Sequence, residues 1–154
     1  MPYLAKAIFI FSSLVAATSS YSAELTEDTV KQVISRIDKA INNQNSAALA
    51  KELSTYASIK FNITLKGRKQ AMTASKRRYI SMLEQSWAQY SDYKYSRSNM
   101  TIDIKNNKAL VSAVVQESMV FRGQKVSGST KEEVTIELIN GEPLVTKVIG
   151  HTRL

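Results

Sequence analysis

Residues 109–153 read ALVSAVVQESMVFRGQKVSGSTKEEVTIELINGEPLVTKVIGHTR, and this stretch decides the fold. Ala109–Phe121 is long and strongly apolar, with Val111, Ala113, Val115, Glu117, Met119 and Phe121 on one alternating face. Arg122-Gly123-Gln124 turns the chain into a second strand, Lys125–Leu138, in which Gly128 marks a bulge. Asn140-Gly141 is a strong hairpin signal, because both residue types tolerate positive φ. Leu144–Arg153 closes the run. Upstream, Lys105-Asn106-Asn107-Lys108 joins Ala109 to one more strand, Tyr93–Ile104. Four strands joined by short turns form an antiparallel meander.

Helices precede the meander. Val30, Val33, Ile34, Ile37, Ala40 and Ile41 recur at three- and four-residue steps across Leu25–Asn43, with Thr26 as N-cap and Glu27 and Asp28 where the helix dipole favours anions. Leu25 is placed to staple onto Val30. Asn42–Asn45 breaks this helix, and Ser46 caps a short second one, Ala47–Leu53. Tyr56–Leu65 alternates, with Ala57, Ile59, Phe61, Ile63 and Leu65 on one face, and Gly67 ends it. Ala74–Tyr90 returns to helical period through Ile80, Leu83, Trp87 and Tyr90, with Tyr79 and Met82 at the stripe's edge. The expected order is α-α-β-α-β-β-β-β: an α+β fold with N-terminal helices packed on one face of a curved, mostly antiparallel sheet.

The first 23 residues are expected to lie outside that fold. Lys6 precedes an uncharged apolar run of 11 residues, AIFIFSSLVAA (7–17), followed by small polar TSSYSA (18–23). This is the layout of a secretory signal peptide cleaved near Ala23 or Ser22. The run is short for a membrane-spanning helix, so no integral anchor is expected. The mature domain, 24–154, is expected in the periplasm or outside the cell. Having no cysteine, the chain carries no lipid anchor, disulfide or thiol nucleophile, and one histidine supports no two-imidazole site. No metal and no cofactor are expected.

The 154-residue chain carries a net charge of +8, and the excess is local. Between Glu52 and Glu84 there is no acid, while Lys60, Lys66, Arg68, Lys69, Lys76, Arg77 and Arg78 all fall there. Such a basic surface could meet anionic lipid, cell-wall polymer or an acidic protein; nucleic acid is not expected for an exported domain. A solvated loop and helix start is the plainer reading.

Candidate pocket residues follow from the same patterns. Glu117 is the one charge on its apolar strand face, so it would be partly desolvated, as a general acid or base requires. A kink turning it to solvent, or a basic partner across the sheet, is the alternative. Trp87, Tyr90, Tyr93 and Tyr95 cluster at the helix-to-sheet junction, where with Tyr79 they offer rings and phenol donors to a ligand, or plain core. His151 ends the last strand, as a pocket residue or a surface one. Asn62-Ile63-Thr64 and Asn99-Met100-Thr101 are glycosylation sequons, relevant only in a eukaryotic host.

The chain resembles the nuclear transport factor 2-like superfamily, which includes ketosteroid isomerases, SnoaL-type cyclases and limonene epoxide hydrolases. The resemblance covers about residues 25–152. It rests on NNQNSAALAKEL (42–53) after the first helix, YISMLEQSWAQYSDYKYS (79–96), DIKNNKALVSAVVQE (103–117) and EVTIELINGEPLVTKVIGH (133–151). It implies a curved sheet wrapped around a pocket, and often a homodimer through the sheet's outer face. It does not imply one activity. Ketosteroid isomerases use a pocket tyrosine and two acids, and the epoxide hydrolases an Asp-Arg-Asp relay. Asp28 and Asp38 read as the polar side of the first helix, Asp92 as loop, and Asp103 as opposite Ile102 and Ile104, so no catalytic residue carries over. The expected function is a non-catalytic binding domain holding a small apolar or amphipathic ligand in the cone. A protein-interaction module such as a toxin immunity protein is one alternative; an isomerase, dehydratase or hydrolase using Glu117 is another.

Overall fold

A computed structural model describes residues 23–65 and 67–153. Residues 1–22, the whole of the expected leader but Ala23, lie outside the described residues, as do Lys66 and Leu154. Three helices, α1 (Glu27–Asn42), α2 (Ser46–Glu52) and α3 (Lys76–Gln89), pack on one six-stranded sheet. Its strands are β1 (Leu53–Leu65), β2 (Arg68–Ser75), β3 (Ser91–Lys105), β4 (Lys108–Phe121), β5 (Gln124–Ile139) and β6 (Glu142–Arg153). They lie in the order β2-β1-β6-β5-β4-β3, and the curved sheet does not close. All neighbours are antiparallel except β1 and β6, which run parallel. The α+β class and the N-terminal helices on a mostly antiparallel sheet are as the sequence predicts.

Local signals explain most elements. Thr26 caps α1 by accepting from the Thr29 amide, and Thr29 Oγ1 accepts from the Thr26 amide in return. Val30, Val33, Ile34, Ile37, Ala40 and Ile41 are all buried, and Leu25 joins them in the core. Asn45, rather than Ser46, caps α2 by accepting from the Ala48 amide. The β3–β4 and β5–β6 hairpins turn on Asn106-Asn107 (φ 52° and 55°) and Asn140-Gly141 (φ 52° and 81°), the paired positive φ of a type I′ turn. Inward residues Ile59, Val111, Val134, Ile136 and Val145 seal the core against α1.

Two expectations are corrected. The chain after Gly67 is not a loop into a helix but β2, an edge strand in hairpin with β1 from Leu65↔Arg68 to Ser58↔Ser75. Its inward phase, Arg68, Gln70, Met72 and Ala74, has apolar residues only at the end near α3, so the strand carries no clear alternation. Gly128 makes no bulge: it faces Glu117 in unbroken register. The irregularities lie elsewhere, among them one between Ser98 and Thr101, where Asn99 takes φ 51°.

Candidate functional site

The register sorts the side chains of the sheet's helix-facing side into rows. One row holds Tyr95 of β3, Glu117 of β4 and Gly128 of β5. The next holds Arg97, Val115, Thr130, Thr152 and Ile63, and the third Ala113, Glu132, Gly150 and Phe61. Each inward acid therefore has small neighbours: Glu117 faces Gly128, and Glu132 lies between Ala113 and Gly150. At Gly150 the space is already used, since a Cβ there would stand 3.1 Å from Thr130 Cγ2 and 3.2 Å from Phe61 Cδ1.

Arg97 organises this layer. Its side chain is 5% exposed. Nε donates to Asp38 Oδ1 of α1 at 3.0 Å, Nη1 to Glu132 Oε1 at 2.7 Å, and Nη2 to the Tyr95 hydroxyl at 2.6 Å. A planar guanidinium suits such a three-way junction, because its donors point in fixed, divergent directions. Burial opposes its charge, but Glu132 and Asp38 outweigh that and keep it protonated. Burial pushes the Glu132 carboxyl up while Arg97 pulls it down, and the balance is upward; Asp38 behaves likewise. A second hydrogen bond joins the Tyr93 hydroxyl to Glu117 Oε1. Burial first, then the nearby carboxylates, raise the phenols of Tyr79, Tyr93 and Tyr95, so they stay neutral.

The layer is only half covered. Tyr79, Tyr93, Glu117, Glu132, Phe61, Ile63, Thr130 and Thr152 are all half-buried, whereas the rows nearer α1 are sealed. Tyr79 leans on Phe61 with ring centres 5.8 Å apart, and Trp87 meets Tyr93 edge-on at 6.3 Å. Thr130 and Thr152 share a hydrogen bond of 2.7 Å. Apolar faces, paired hydroxyls and a buried acid–arginine–acid junction thus lie side by side. The junction can orient a polar group, and the rings can cover an apolar one.

No protein-family model and no curated protein sequence matches this chain. Solved structures do. A nuclear transport factor 2-like protein from Cytophaga hutchinsonii superposes with TM-score 0.64 at 16% identity, over 82% of this chain and 98% of that one. The fold is nuclear transport factor 2-like. The hexachlorocyclohexane dehydrochlorinase LinA-type3 from Novosphingobium barchaimii gives 0.65 at 13% identity, over 81% and 84% of the two chains. A protein with a cystatin-like fold from Nostoc punctiforme gives 0.59 at 12%, over 84% and 94%. At these identities the likeness is one of fold.

Within this nuclear transport factor 2-like frame, five of the residues singled out in the sequence come together: Glu117, Tyr79, Tyr93, Tyr95 and Trp87. Tyr90 instead packs on Phe121 at the strand end, 5.3 Å between ring centres. His151 does not join them. Gly150 takes the inward phase of β6, so His151 points to the opposite face, where it is exposed. Asp38 is not on the polar side of α1. It follows Ile34 by four residues and precedes Ile41 by three, which sets it at the edge of the buried stripe and within reach of Arg97.

Among the described residues the basic run is spread over several surfaces. Lys69 is outward on β2, Lys76 donates to the Leu53 carbonyl, and Arg77 and Arg78 lie exposed in the first turn of α3, with Arg68 at the β2 edge. Sequence pattern alone does not single out Arg97 and Glu132. Their signal was present: Arg97 shares the phase of Tyr93 and Tyr95, and Glu132 that of Val134 and Ile136. Glu132-Glu133 puts an acid on both phases, however, so alternation alone does not choose between them. Among the described residues no helix is long and apolar enough to cross a membrane.

Proposed function

We propose that this chain is a non-catalytic binding domain, exported behind a leader cleaved near Ala23, that holds a small amphipathic molecule at the half-covered layer. The observation that carries this reading is the engagement of the polar groups with one another. Arg97 is tied to Asp38, Glu132 and Tyr95, and Glu117 to Tyr93, so the layer is a fixed framework and not a free acid beside a free base. Phe61 and Tyr79 supply an apolar seat, half-buried Ile63 lies beside Thr152, and the Thr130–Thr152 pair supplies hydroxyls for a polar end. The flat amphipathic alcohol 2-naphthol tests it. Titrated into isotope-labelled protein, it is expected to shift the resonances of Ile63, Thr130 and Thr152. A T130V/T152V variant should bind about fivefold more weakly, the worth of one net hydrogen bond. Absence of any shift at those residues at millimolar probe overturns the reading.

One observation favours a hydrolytic or eliminating enzyme instead. Asp38–Arg97–Glu132 has the acid–arginine–acid order that the resemblance attaches to epoxide hydrolases, with Glu132 pushed up by burial. Turnover of an epoxide such as styrene oxide, abolished in E132Q while the fold is retained, would favour that reading over simple binding.

A further inference from the structure

The sheet's other face carries a second site of different character. Two clefts, of about 820 and 830 Å³, open on it. The first is lined mainly by outward residues of β2, β1, β6 and β5, among them Lys69, Asn62, His151 and Lys131, with Ile63, Gln70 and Thr152 of the helix-facing phase reaching its margin; the second mainly by outward residues of β5, β4 and β3, among them Ser127, Gln116, Ser96 and Lys94, with Lys125, and by Asn42 of α1 and Tyr95 and Glu117 of the helix-facing phase. Ser129 and Arg153 line both, so the two are one groove across all six strands. At about 4.8 Å per strand step, it runs roughly 24 Å.

Cations and hydrogen-bonding side chains recur along the groove. Lys69, Lys94, Lys125, Lys131 and Arg153 are exposed, and among the described residues none of them pairs with an acid of the chain. Glu117, the one acid on its wall, is held by Tyr93 toward the helix side. Glu133 stands one row away, opposite Ile149. Between the cations lie hydroxyls and amides: Asn62, Thr64, Ser96, Gln116, Ser127 and Ser129.

We propose that this groove binds a linear acidic polysaccharide, its carboxylates or sulfates on the cations and its sugar hydroxyls on the serine, threonine, asparagine and glutamine side chains. Length and multiplicity exceed what a single small anion uses. Among the groove's outward side chains the single ring is His151, with no Phe, Tyr or Trp on which successive bases could stack, which disfavours single-stranded nucleic acid. A trough suits a chain better than a bilayer surface. A second copy docking face to face would bring Lys131, Arg153 and Lys69 against one another's like charges.

A heparin octasaccharide titrated calorimetrically into the full chain tests this. Binding should weaken with rising salt, and K131A/R153A should lose at least tenfold in affinity. Arg77→Ala with Arg78→Ala, on α3 and outside the groove, should lose less than twofold. Ser129→Trp, which fills the junction of the two clefts without changing charge, should lose as much as the double alanine variant. Circular dichroism verifies that each variant is folded. Any of these results overturns the proposal: no binding at millimolar probe; equal loss in the α3 variant; unchanged affinity in Ser129→Trp; or a thymidine oligonucleotide or phosphatidylglycerol vesicle bound as tightly and lost in the same variants. A dimer in sedimentation whose formation excludes the octasaccharide would equally overturn it, by assigning the groove to a second copy.

Discussion

Replacing Arg97 would leave Glu132 and Asp38 facing one another with no cation between them. Glu132 is only 16% exposed and Asp38 28%, so water cannot substitute fully. R97M should therefore cost about 3–5 kcal/mol, the range for removing one partner of a buried ion pair, as measured by urea unfolding. R97K should recover only part of it, since a lysine cannot serve three partners in three fixed directions. At this scale the sequence was half legible. Glu117 stood out because it is a lone charge on an apolar phase, and the tyrosines because they cluster. Arg97 and Glu132 did not, because a charged residue between polar neighbours on a strand looks solvent-facing until its cross-strand partners are known. Here those partners are Val115 for Arg97, and Ala113 and Gly150 for Glu132.

Elements whose signals are local were read within a few residues: the capped, striped α1 and the strands flanking Asn106-Asn107 and Asn140-Gly141. Thr26 makes α1 a fair test of local reasoning. It and Thr29 exchange hydrogen bonds with one another's amides. T26A should cost about 1 kcal/mol, as a lost cap does, seen as a lower urea midpoint with an unchanged slope. β2 was illegible for the opposite reason. It pairs with one neighbour only, and much of what it presents is polar or basic. Lysine and arginine on such an edge discourage pairing with a further strand, so the residues that protect the edge also hide it from pattern reading.

Across the whole molecule, the step that pattern reading could not supply is the parallel pairing of β1 with β6. Ile59 meets Val148 and Phe61 meets Gly150 although most of the chain lies between them. Closing that pair joins the N-terminal hairpin to the C-terminal meander, and it requires the ends of a long loop to meet before any contact forms. The chain should therefore refold in milliseconds to seconds, as sheet-rich domains with distant contacts do, measurable by Trp87 fluorescence after stopped-flow dilution from urea. A microsecond phase with the full amplitude would contradict this. The same topology has a practical side for anyone purifying the protein. β6 runs from the turn at Asn140-Gly141, beside which Ala23 lies, and finishes at Arg153 inside the outer groove. An affinity handle or fluorophore fused after Arg153 would crowd the trough it was meant to report on, while one joined directly to Glu24 of a chain made without its leader would leave from the turn end of the sheet and keep the trough clear.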